Sequence, residues 1–287
     1  MKQWAARHGE RFALLVLFAL ALLLWRQAEA RTPYLEVHML NVGQGDAVLI
    51  ELPDGFQLLV DGGPDASVLS ELSEVMGPFD RTIDLVIATH ADADHIGGLP
   101  DVLARYDVEA VVDTGGLKDT ALFNAWADAV VAEGADVVLA DRVQEIPLSD
   151  TASLMLLWPQ ESVTGRTLTD PNEYSVVAEL RYGAFSMLLT GDIERWAEQR
   201  IVQSRVLTDV DVLKVPHHGS KTSTTEALLA ATTPELATIS VGAENRYGHP
   251  TDLVLDRLAQ HGIETLRTDT SGRITLQSDG TSYWIAQ

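Results

Sequence analysis

Two meanders of short β-rich runs, each followed by alternating strand and helix patterns, limit the folds open to this chain more than any other feature. Residues 34–42, 47–52 and 57–60 form the first meander, separated by Gly43-Gln44-Gly45-Asp46 and by Pro53-Asp54-Gly55. Turn residues between β-rich runs predict antiparallel neighbours. A helix over 66–76, an apolar strand over 83–89 and a helix over 96–106 follow, then strand 110–112, helix 121–133 and strand 137–140. The second meander comprises 153–158, 176–182 and 185–190, with a polar loop at 160–173. Helix 193–203, strand 210–215, helix 225–231, strand 236–241, helix 253–260 and a closing pair of strands at 264–268 and 273–277 complete the pattern. Neither a fixed-period repeat nor a low-complexity linker interrupts it. The arrangement that buries both sets is a single α/β domain of two sheets packed face to face with helices outside.

Residues 1–30 stand apart from that pattern. Lys2, Arg7 and Arg11 precede an uncharged apolar run over 12–25, which ends near Ala28-Glu29-Ala30. Spanning a bilayer takes about 20 apolar residues, whereas a cationic start, a short apolar stretch and a small-x-small exit make a signal peptide. The expectation is cleavage before Arg31, the alternative being an uncleaved anchor that touches the membrane through residues 12–25. Either way residues 31–287 form the working domain and lie outside the cytoplasmic membrane, periplasmic, secreted or anchored.

Composition narrows the chemistry. The 287 residues contain no Cys, which leaves His, Asp and Glu to hold any metal ion. Lys and Arg number 20 against 42 Asp and Glu, a net charge of -22. Such a surface lacks the cationic track that general nucleic-acid binding needs. The 46% hydrophobic content still provides for a packed core.

The eight histidines are unevenly spread, and none lies between His95 and His217. His90, Asp92, Asp94 and His95 place four metal-ligand types within six residues, in a turn between strand and helix. A helix cap accounts for one acid there and leaves both His unexplained. Asp192, in Thr190-Gly191-Asp192, ends a buried strand and reads either as an anionic ligand or as the cap of helix 193–203. His217 and His218 follow Pro216 at the end of another strand. Lys214 and Lys221 flank this pair, either as solvated charges or as local attraction for a phosphate.

In combination, His90-Ala-Asp92-Ala-Asp94-His95-Ile-Gly-Gly, Thr190-Gly-Asp192 and Lys214-Val-Pro-His217-His218-Gly-Ser resemble the successive motifs of metallo-β-lactamase-fold hydrolases. Leu40-Asn-Val-Gly-Gln44-Gly-Asp46, Val60-Asp61-Gly-Gly and Tyr247-Gly-His249-Pro are similar to the branch found as the extracytoplasmic hydrolase domain of ComEC competence proteins. The resemblance runs from about residue 34 to the C-terminus. It implies an αββα sandwich with a dinuclear site at one edge, a hydrolytic activity, and a link to DNA uptake.

Carried over residue by residue, the resemblance implies that His90 and Asp92 hold one ion, that Asp94 and His95 hold a second, and that Asp192 bridges them. One of His217 and His218 completes the second site or acts as general acid. His249 protonates the leaving group or binds a substrate oxygen, while Asp46 and Asp61 orient the ligands. The catalytic set is then Asp94, His218 and His249. Asp92 stands where the wider family has His, and a further His ligand of that family is missing before Asp192. The expected cofactor is therefore one or two divalent ions, Zn or Mn, the oxygen-rich set favouring harder ions. Asn172 or Ser175 is a candidate for the vacant place. The expected reaction is hydrolysis of a phosphodiester, in DNA or in a small molecule, by a metal-activated water, with no protein partner predicted. The alternatives are hydrolysis of a small ester, lactone or β-lactam, and a non-catalytic binding module.

Overall fold

The computed structural model describes residues 9, 11–22, 32–77 and 79–286. It divides into two units, Met1–Pro33 and Tyr34–Gln287. In the first unit, residues 11–22 form helix α1. Among the described residues no helix is long and apolar enough to cross a membrane. The exit motif at 28–30 and Arg31 lie outside the described residues.

The second unit starts with the expected meander. β1 (Leu35–Met39), β2 (Val48–Glu51) and β3 (Gln57–Val60) pair antiparallel in sequence order. Along β1, Leu35, Val37 and Met39 enter the space between the sheets while Glu36 and His38 face the other way, as the two-residue period of a strand dictates. Helix α2 (Ser67–Val75) leads to β4 (Thr82–Ile87), which joins β3 in parallel.

Where a single helix was expected over 96–106, the chain forms two short ones, α3 (Ala93–Ile96) and α4 (Leu99–Leu103). The break falls at Gly97-Gly98. A side chain on Gly97 would run into the backbone of Pro64, so the first sheet's loops and this helical corner approach at backbone distance. Helical structure therefore begins inside the His/Asp cluster rather than after it.

β5 (Asp107–Asp113), α5 (Ala121–Glu133) and β6 (Asp136–Leu139) finish the parallel half of this sheet. The second sheet opens with β7 (Gln144–Pro147), too short and too polar to stand out in the sequence, followed by β8 (Ala152–Trp158), β9 (Val177–Tyr182) and β10 (Phe185–Leu189), all antiparallel. Helix α6 (Arg195–Ser204), β11 (Val212–Lys214), α7 (Glu226–Thr232), β12 (Leu236–Ile239), α8 (Asp252–Gln260) and β13 (Glu264–Arg267) continue with parallel pairing from β10 to β13.

The two closing strands read from the sequence belong to different sheets. After the short helix α9 (Thr268–Ser271), β14 (Ile274–Ser278) crosses to the first sheet and pairs antiparallel with β1, and β15 (Tyr283–Ile285) extends that edge. The crossing covers one side of β1 and ties the two halves of the fold together.

One apolar cluster lies between the sheets, a second under α2, α4 and α5, and a third under α6, α7 and α8. These three layers of burial define an αββα sandwich. The parallel strands β3, β4, β10, β11 and β12 all send their C-terminal ends towards one edge, the place where open α/β sheets bind ligands.

Candidate metal centre

Asp61 follows β3, the stretch from Thr89 to His95 follows β4, Asp192 follows β10, and His217 and His218 follow β11. Asp46 comes from the β1–β2 turn. Strands from both sheets thus converge on one buried cluster.

Hydrogen bonds through Nδ1 fix the orientation of three imidazoles. Asp61 is fully buried and accepts from the Thr89 amide at 2.8 Å, from the Thr89 hydroxyl at 2.7 Å and from His95 Nδ1 at 2.7 Å. Because the single Thr89 proton goes to Asp61, its oxygen accepts from His90 Nδ1 at 3.0 Å. His218 Nδ1 donates to the Ser240 carbonyl at 2.8 Å. All three rings therefore turn Nε2 towards the same space, and none of these buried atoms has a hydrogen-bond partner among the described residues. Pinning one ring nitrogen to a protein oxygen is how metal-binding imidazoles are oriented.

The free atoms face carboxylates. His95 Nε2 lies 3.3 Å from Asp192 Oδ2, and His218 Nε2 lies 3.4 Å from both Asp192 Oδ2 and Asp94 Oδ2. Ligands at about 2.0–2.2 Å from a tetrahedral ion are about 3.3–3.6 Å apart, so these spacings suit one shared cation. Asp94, His95, Asp192 and His218 form a group whose ligand atoms all lie within 4.8 Å of one another. The His90 ring stacks at an angle on His95, with centroids 4.1 Å apart.

Not every expected residue joins this group. Asp92 occupies the N-cap position of α3 without a side-chain cap bond, and its carboxylate is drawn outward to Lys118 Nζ at 2.6 Å. His217 sits at the rim, with Nδ1 3.0 Å from Glu194 Oε1 and Nε2 3.8 Å from Asp192. His249 packs edge-on to His217 with centroids 5.6 Å apart, and the exposed Tyr247 stacks on the His249 ring. Asp192 is not a helix cap, since α6 starts at Arg195 with Glu194 in the cap position. Ser175, fully buried, accepts from the Asp192 amide at 3.2 Å, and so positions that backbone.

The largest surprise is Lys214. It falls on the face of β11 that points between the sheets, as Val212 does, and only 2% of it is exposed. Its ammonium pairs with Asp46, lies 3.9 Å from Asp192 Oδ1 and donates to the Gly191 carbonyl at 3.2 Å. It is thus neither a solvated charge nor an attractor for an incoming phosphate. Period-two reading of Val212-Leu213-Lys214 marks the inward position, and this signal was available in the sequence.

Charges in this cluster are strongly biased. Burial opposes ionisation of Asp192, yet His218, His95 and Lys214 outweigh it and hold the carboxyl well below its ordinary range. Asp46 is lowered to about 2, burial being overcome by Lys214 and His218. Against burial, Asp192 and Asp61 hold His95 well above the ordinary histidine value, and Asp192 and Asp46 raise His218 to about 10. Burial and the neighbouring charge on His95 push His90 well below its ordinary value. Burial, His217 and His218 lower His249 to about 4, so it is neutral at pH 7.

This geometry agrees with what comparison finds. Residues 40–243 match the family model described as the metallo-beta-lactamase superfamily. The chain belongs to that superfamily. Among curated relatives, it is 34% identical over 263 residues to ComE operon protein 3 of Bacillus subtilis, covering 83% of this chain and 32% of that one. It is 30% identical over 237 residues to Competence protein ComA of Neisseria gonorrhoeae, covering 82% and 31%. The chain thus spans about a third of the length of these relatives. Among solved structures, CmlA, a diiron β-hydroxylase from Streptomyces venezuelae, superposes with TM-score 0.53 at 16% identity over 85% of this chain and 54% of that one, a likeness of fold. The expected superfamily, its sandwich and the resemblance to ComEC-type proteins therefore hold. The superfamily's metal chemistry has a matching donor set here in Asp94, His95, Asp192 and His218.

Proposed function

We propose that this chain is a metal-dependent phosphodiesterase of ComEC type, working outside the cytoplasmic membrane. The observation that carries the reading is the convergence of orphaned Nε2 atoms from His90, His95 and His218 with Asp94 and Asp192 on one buried space. Asp94, His95, Asp192 and His218 would hold the principal ion. The outward pairing of Asp92 with Lys118 supports a single-ion centre, with His90 as an added donor. Two nitrogens with two carboxylates suit Zn²⁺ or Mn²⁺.

When bound, a divalent cation lowers the pKa of a bound water from about 15.7 towards about 7 and draws in the anionic oxygens of a phosphodiester. His95 and His218 must each give up a proton to expose Nε2, so cation affinity falls as the pH falls. With His218 assigned as a ligand, the neighbouring His217, braced by Glu194, is placed to hand a proton to the leaving oxygen. That contribution is on the order of 10²–10⁴ in rate. His249, neutral at pH 7, offers a ring N–H to a substrate oxygen rather than a full proton. Tyr247 stacked on it, with Arg246 over the Tyr247 ring at 5.3 Å, gives the rim one aromatic face and one cation beside the anionic cluster. A short or small phosphodiester fits this better than a long polymer lying on an acidic surface, and cleavage of DNA would be salt-sensitive.

Bis-p-nitrophenyl phosphate and nitrocefin, assayed side by side with Mn²⁺ and Zn²⁺, separate the readings. Turnover of the phosphodiester with a metal requirement is expected. Turnover of nitrocefin alone would sink the phosphodiesterase reading in favour of β-lactam chemistry, and neither turnover nor metal binding would point to a binding module. Residues 1–30 are assigned to export, so N-terminal sequencing of protein recovered outside the cytoplasm should begin near Arg31. An intact Met1 in the membrane fraction would mean anchoring through residues 12–25 instead.

A further inference from the structure

On the outer face of the first sheet, away from the apolar layer between the sheets, Glu36 and His38 are two residues apart on β1, and Glu51 stands directly opposite Glu36 on β2. Carboxylates facing each other across an antiparallel pair repel unless positive charge lies between them. Here each side chain is held at one end and free at the other. His38 is 5% exposed, and its Nδ1 lies 2.9 Å from Thr275 Oγ1 on β14. Gln57 donates to Glu51 Oε1 at 3.0 Å, and Gln277 donates to Glu36 Oε1.

The three remaining atoms converge. His38 Nε2 is buried without a hydrogen-bond partner among the described residues. It lies 3.4 Å from Glu51 Oε2 and 3.8 Å from Glu36 Oε2, and the three ligand atoms fall within 4.8 Å of one another. Around a tetrahedral ion with bonds of about 2.0–2.2 Å, ligands are about 3.3–3.6 Å apart. The spacing therefore needs only a few tenths of an ångström of adjustment. The Glu36 and Glu51 side chains keep 17% and 23% of their surface exposed, which gives an ion an entry path and leaves a fourth position for water.

We propose that Glu36, His38 and Glu51 form a second divalent-cation site, of one imidazole and two carboxylates, which takes zinc-class ions and shares no residue with the Asp94, His95, Asp192 and His218 group. The outward-facing amides and hydroxyl of Gln57, Gln277 and Thr275 supply the surrounding hydrogen bonds that orient metal ligands. A cation here joins β1 to β2 and cancels the repulsion between the two glutamates.

Zinc content after equilibrium dialysis against Zn²⁺ tests the site in the full chain. The Asp94→Ala/Asp192→Ala protein should still take up one equivalent of zinc, and adding Glu51→Gln should remove it. In the wild-type background, Glu51→Gln or Glu36→Gln alone should lower the zinc count by one while phosphodiester turnover stays unchanged. Both substitutions keep the side-chain shape, and circular dichroism checks the fold. Zinc content unaffected by either Gln variant, or a double Ala variant that is folded yet binds no zinc, would overturn the proposal. Neither result depends on whether the chain turns over a phosphodiester.

Discussion

Asp192→Ala is expected to cut metal-dependent turnover of bis-p-nitrophenyl phosphate by more than about 10²-fold while the fold survives. Losing a residue that merely orients a metal ligand already costs about 10–100-fold, and Asp192 stands closer than that. Its Oδ2 faces the free Nε2 atoms of both His95 and His218, at 3.3 and 3.4 Å. The carboxylate caps no helix, because α6 starts three residues later at Arg195. Its backbone is held independently by Ser175. Deleting it also takes a counter-charge from His95, His218 and Lys214, so stability falls as well, and circular dichroism checks that the variant is folded before its turnover is read. Asp94→Ala should behave alike, since its Oδ2 faces His218 at 3.4 Å. Turnover and metal content measured together provide the check. Near-wild-type activity with unchanged metal content in either variant would remove these residues from the centre.

Lys214→Met should be the most damaging single change to stability, at about 3–5 kcal/mol in the metal-free protein. Breaking a buried ion pair leaves the partner charged in a medium that cannot solvate it. Asp46, also 2% exposed, would be left with its counter-ion gone. Burial alone would discharge Lys214, and the pull of Asp46 and Asp192 instead holds its pKa above the ordinary lysine value. Met matches the length of the stem, so cavity formation contributes little and the loss reports the charge. Urea unfolding should record the decrease, with a fall in Tm on the order of 10 °C. The double variant Lys214→Met/Asp46→Asn should recover much of the loss, because neither charge is then stranded. A single-variant loss below about 1 kcal/mol would mean that Asp46 does not depend on Lys214.

These two expectations had different origins in the sequence. Asp94 was legible because a run of His and Asp in a turn is hard to explain by capping alone, whereas Asp192 read equally well as the cap of helix 193–203, and only the resemblance carried by the combined motifs marked it as a ligand. The meanders were legible for a related reason. Alternating apolar residues and turn glycines act locally, and local rules carry β1 to β3 and β8 to β10 to within three residues of their places. The helix over 96–106 was misread because Gly97 and Gly98 look like tolerated glycines until the backbone of Pro64 is found against the first and the carbonyls of Gly62 and Asp65 against the second. That the two closing strands read from the sequence divide between the sheets, β13 beside β12 and β14 beside β1, was not legible, because the partner of β14 lies more than 200 residues away along the chain.

The sequence by itself determined the sandwich, the superfamily resemblance and the roster of residues from which the centre is built, since all three rest on residue type and spacing along the chain. Only the tertiary structure decided how that roster divides. It draws Asp92 out to Lys118, seats His218 inside and leaves His217 at the rim beside Glu194, and buries Lys214 among the carboxylates. The physical reason is that adjacent residues in a helical-type turn point about 100° apart, here with φ near +50° for both His217 and His218. Which neighbour faces the shared space depends on partners such as Ser240, which lies 22 residues away along the chain. No local pattern carries that information.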